Sequence, residues 1–208
     1  PGLKELSPFS LAARIDTDSS ILGFLTRINK LHYSDLVFDS ITIAALDMPS
    51  RDEFKTMQYA MMVEQVTTPS FNLEKSMVLG SIHHGIIDGK IQLDDANEKP
   101  RYIIPYKITN DPVLPYLVLG DSLLINRQGW AVNPDNVVYL SKEALKGSKL
   151  TISNKAESIS ILADSTRPDG LPLTLRLDQF SLKNVSDVFI SDTSLVEGTV
   201  NGQASLLS

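Results

Sequence analysis

A chain of 208 residues with 42% hydrophobic residues and a net charge of −6 has the apolar mass for a sizeable core, which argues against disorder. It contains no cysteine, which excludes disulfides, thiolate zinc sites and cysteine nucleophiles. Its acidic balance, with lysines and arginines scattered singly, works against nonspecific binding to phosphate backbones or anionic lipid, and no apolar run approaches the roughly 20 residues of a membrane-spanning helix.

One domain is expected over residues 1–208, divided into an arm (1–18), a helix-containing part (19–68), a strand-rich body (69–193) and a tail (194–208). The start Pro1-Gly2-Leu3-Lys4 lacks the regions of a signal peptide, and Pro1 cannot be an initiator. The chain therefore reads as a fragment or processed product, soluble and intracellular.

The arm, with Pro8 and mixed polarity, reads as an extended segment or short strand. Asp18 or Ser19 can cap a following helix, on which Ile21, Leu22, Leu25, Ile28 and Leu31 share one face. Residues 36–46 change period, and Val37, Phe38, Ile41 and Ile43 point to a strand. Ser50 and Glu53 have capping-box spacing, and Phe54, Met57 and Met61 recur at helical intervals, so a second helix is predicted from Arg51 to Val63. Thr67 to Phe71 marks the change to strand-rich sequence.

Beyond Pro69 the reading is of short strands. Residues 76–87 and 90–93 form a hairpin with Asp88-Gly89 as its turn. Residues 101–109 make a strand interrupted by Pro105, at an edge or bulge. Segments 116–119 and 122–126 flank Gly120-Asp121 as a second hairpin. Segments 130–132 and 137–140 enclose the turn Asn133-Pro134-Asp135-Asn136. Ser141 to Leu145 reads as one helical turn. Strands follow at 149–153, 158–163, 173–177 and 185–190, with Arg167-Pro168-Asp169-Gly170 as a turn, and a last strand at 196–200 before a frayed end. The expected fold is α+β with β predominant: two N-terminal helices, then an antiparallel sandwich or jelly-roll-like body.

The segment with the clearest chemical content is His83-His84-Gly85-Ile86-Ile87-Asp88-Gly89. It resembles the H-H-x-x-x-D-G signature of the chloramphenicol acetyltransferase and condensation-domain acyltransferases. The resemblance implies His84 as general base toward an acceptor hydroxyl, amine or thiol, Asp88 as the residue holding the loop, and Gly89 as the tight turn. It covers seven residues. The families' segment after the motif enters a helix, whereas Lys90-Ile91-Gln92-Leu93 alternates like a strand, and no D-F-G-W-G-like segment follows. Read as structure, the same residues are half of a hairpin, and that reading is preferred.

Adjacent histidines on a strand point to opposite faces, so they cannot easily share one metal ion. His32 stands alone near a predicted helix end. Asp94-Asp95 has too few regularly spaced oxygens for a calcium loop. Gly120-Asp121-Ser122 matches the G-D-S of some lipases, but no histidine follows His84 to complete that chemistry. Trp130, Arg127 and Tyr116, with Tyr102 and Tyr106, offer a stacking surface for a base or sugar, although a lone tryptophan beside strands is more often core.

The expected role is non-catalytic: a structural, assembly or partner-binding module, of which a viral coat, matrix or movement-type protein is an instance. No cofactor or metal is expected. Protein partners and a homo-oligomer are expected, with the arm and tail as contacts. Acyl transfer through His84 and Asp88 is the alternative, and carbohydrate or nucleic-acid binding the second, the nucleic acid not being indicated by charge.

Overall fold

The computed structural model describes residues 2–17, 21–48, 56–69, 72–95, 97–111, 114–140, 147–163, 172–184 and 198–207. Every element defined among them is a β-strand. The chain divides into two compact units, Pro1–Ile103 and Ile104–Ser208.

The first unit is an antiparallel meander. Its strands are β1 (Leu3–Leu6), β2 (Phe9–Asp16), β3 (Ile21–Tyr33), β4 (Leu36–Met48), β5 (Thr56–Thr67), β6 (Asn72–Leu73), β7 (Ser76–His83) and β8 (Ile86–Asp94). β1 and β2 lie on the same side of β3 in one register, Leu6 opposite Leu31 and Phe9 opposite Ile28. They form one edge strand interrupted at Ser7-Pro8, where proline cannot donate to a ladder. Ser7 bridges the interruption: its N–H donates to Lys30 O, and its Oγ accepts from the Lys30 N–H at 2.8 Å. β6 and β7 flank β5 in the same manner, with Leu73 opposite Val66 and Ser76 opposite Val63.

Three long strands share a local change of period. Ile28, Ile41 and Val63 form one cross-strand row, and Leu31, Phe38 and Val66 another. In flat strands these rows, three residues apart, would face opposite sides. Ser40 lies between them with a left-handed φ of 52°, and all six side chains belong to one apolar cluster with Leu36, Ile43 and Leu73. The kink brings residues three apart to the same core.

This explains why both predicted N-terminal helices are wrong. Residues 21–31 are β3, and the described part of the segment 51–63 is β5; residues 51–55 lie outside the described residues. The spacing Ile28–Leu31 imitates a helical face but reflects the kinked meander. Met57, Tyr59, Met61 and Val63 alternate with period two, a pattern that Phe54, Met57 and Met61 concealed when read at helical intervals.

The sandwich or jelly-roll expectation is also overturned, because each long strand of this unit pairs with its neighbour in sequence. The β7–β8 hairpin turns at His84-Gly85, with φ values of 50° and 73°, and not at Asp88-Gly89. Asp88 and Gly89 lie within β8, opposite Ser81 and Gly80.

Later strands are β9 (Pro100–Thr109), whose larger part belongs to the second unit, then β10 (Tyr116–Leu119), β11 (Ser122–Ile125), β12 (Gln128–Val132), β13 (Val138–Tyr139), β14 (Lys149–Asn154), β15 (Glu157–Ala163), β16 (Pro172–Ser181) and β17 (Thr199–Leu207). β10 pairs with β9 and β13, while β11 pairs with β12. The predicted hairpin across Gly120-Asp121 is thus replaced by one turning at Asn126-Arg127, both residues having positive φ. β12, β14, β15, β16 and β17 follow as antiparallel neighbours. The last strand runs from Thr199 to Leu207, later than the predicted 196–200. The predicted helical turn at 141–145, the turn at 167–170 and the strand at 185–190 lie outside the described residues.

The second unit's sheet is two-faced. Leu150 and Ile152 stand opposite Ile161 and Ile159, and these pack with Leu123, Trp130, Val132, Phe180 and Leu177. Residues of the alternate parity, Thr151, Ser158, Ser160 and Asp178, form a polar ladder, including a 3.1 Å hydroxyl pair between Thr151 and Ser160. Burial of each large apolar side chain contributes about 1.5–3 kcal/mol, which places this unit's stability on the tryptophan side of the sheet.

Candidate binding surface

β2 alternates without a break. Phe9, Leu11, Ala13 and Ile15 take one face, and Ser10, Ala12, Arg14 and Asp16 the other. The first set stands opposite Ile28, Thr26, Phe24 and Leu22 of β3. The resulting eight-residue strip contains no charge. It continues across β4 through Ile41, Ile43 and Ala45 and across β5 through Val63, Met61 and Tyr59.

Accessibility changes along this face. Ile41, Ala45 and Val63 are buried, whereas Phe9, Leu11 and Ile15 are 57%, 63% and 75% exposed, and Leu22 and Phe24 are exposed beside them. Scattered exposed apolar residues are ordinary, whereas these occupy adjoining positions of the β2–β3 ladder.

The strip borders a strand edge that no described strand covers. Among the described residues β2 pairs with β3 and with no other strand. The Ser7 N–H points to Lys30, and the pairing register is the same on both sides of Pro8. Beyond the kink at Ser40 the direction reverses: the Leu22 N–H, opposite Ile15, is directed to Asp47 Oδ2 on β4, so Ser10, Ala12 and Arg14 direct their backbone groups to β3, leaving those of Leu11, Ala13 and Ile15 directed outward. β17, paired only with β16 among the described residues, is a second edge, also exposed along most of its length. The segments read as arm and tail contain β2 and β17 respectively.

The double histidine occupies a hairpin tip. His83 ends β7, and its Nε2 lies 3.5 Å from Asp88 Oδ2. His84 is an exposed turn residue, with its ring near-perpendicular to that of His83 at 5.9 Å. Lys90 continues β8 opposite Leu79, where the acyltransferase pattern has a helix. The structure brings His83, the first residue of the motif, to Asp88.

The proposed stacking residues are dispersed. Trp130 is 1% exposed and packs 6.0 Å from the Phe180 ring, so it presents no face to a ligand. Arg127 lies in the β11–β12 turn, and Tyr116 packs edge-on to Tyr139 at 6.2 Å. Tyr102 is buried, while Tyr106 stands opposite Leu119 on β9. Among the described residues no three His, Asp or Glu side chains converge as a metal site, and no helix is long and apolar enough to cross a membrane.

One carboxyl has a displaced titration. Asp135 is held below the ordinary aspartate range by its hydrogen bond from the Lys149 ammonium, with a further bond from Asn133 Nδ2. This pair organises an exposed turn.

Sequence reading passed over the β2 strip, although its signal was present: Phe9, Leu11, Ala13 and Ile15 alternate strictly with Ser10, Ala12, Arg14 and Asp16. Comparison with family models, curated protein sequences and solved structures finds no match to this chain.

Proposed function

We propose that this chain is a non-catalytic assembly or partner-binding module whose working surface is the apolar strip along β2 and β3. The observation that carries this reading is the exposure of Phe9, Leu11 and Ile15 in one row, on a strand whose outer edge no described strand covers. An apolar row gives association free energy by leaving water, and the open backbone edge gives direction to a partner strand. The exposed turn position of His84 supports no second, catalytic reading: a general base for acyl transfer works where water is excluded.

The test compares the parent chain with a Leu11→Glu/Phe24→Glu variant by light scattering and native mass spectrometry, alone and after incubation with cell extract. The parent is expected to form assemblies or to retain a protein partner. The variant is expected to lose that association while keeping its circular dichroism spectrum. A parent that stays monomeric and unaccompanied throughout overturns the reading, as does a folded variant that associates as the parent does.

A further inference from the structure

We draw no further inference here: the strongest candidate, the exposed apolar strip along β2 and β3 of the first unit's sheet, belongs to the surface already described, and nothing in the structure shows what covers it.

Discussion

Tyr59 lies over Gly80, and its hydroxyl donates to the Asp88 carbonyl oxygen at 3.4 Å across the neighbouring strand. The cross-strand row Ala45, Tyr59, Gly80, Gly89 gives the ring a floor of small residues. A Cβ on Gly80 would stand 2.5 Å from the Tyr59 hydroxyl and 2.7 Å from Cζ, and it would also strike the Asp88 backbone oxygen. The Asp88-Gly89 pair, which reads in sequence as a turn, thus serves as the close approach beneath a tyrosine.

Gly80→Ala is therefore expected to destabilise the first unit. Because backbone must move as well as a side chain, the loss should be about 1–3 kcal/mol, the usual range for overpacking. Urea unfolding followed by circular dichroism measures it through the midpoint. An unchanged midpoint would show that Tyr59 does not rest on this glycine.

A second prediction concerns Asn136, which is buried between β10 and the turn before β13. Its Oδ1 accepts from the Leu119 N–H at 2.7 Å, and its Nδ2 donates to the carbonyls of Leu119 and Asn133. Asn136→Asp preserves shape and the acceptor but turns two donors' positions into a carboxylate oxygen facing carbonyls. A loss of about 1–3 kcal/mol is expected, the cost of unsatisfied buried polar groups. Thermal unfolding with Asn136→Ala as the comparison tests this, and a neutral Asn136→Asp would contradict it.

Acid titration should find Asp135 below the ordinary aspartate range because of Lys149. A carboxyl whose folded value is depressed adds stability that is present above its unfolded value, near pH 4, and is lost as pH falls through the lower folded value. Lys149→Met should move the Asp135 carboxyl resonance to a higher titration midpoint in NMR and flatten that segment of the acid stability curve. The group is fully exposed, so salt should weaken the effect.

The strand-rich region was legible because its apolar positions alternate over short runs. Lys149–Asn154 and Glu157–Ala163 fall near the segments predicted from Leu150, Ile152, Ile159 and Ile161. The strand at 36–46 was legible too, as β4, but residues 21–31 and 56–63 were not, since β3 carries apolar side chains on both faces and Ser40 imposes a step of three on Phe38 and Ile41. A serine with positive φ has no reliable sequence signature, so period alone assigned the wrong element. Turn chemistry misled in the same way. Asp-Gly is a strong hairpin signal, yet the register defined by Ile82 opposite Ile87 puts His84-Gly85 at the bend. The β2 strip was visible as alternation, but its value as a surface depended on knowing that no described strand covers its outer edge.

Residue-resolved amide hydrogen exchange on β2, at low and high protein concentration, tests the assembly surface most directly. In dilute solution the Ser10, Ala12 and Arg14 amides should be protected by β3, while those of Leu11, Ala13 and Ile15 exchange freely. On concentration the second set should become protected and the first remain so. Exchange at Leu11, Ala13 and Ile15 that stays fast at every concentration would contradict pairing at this edge.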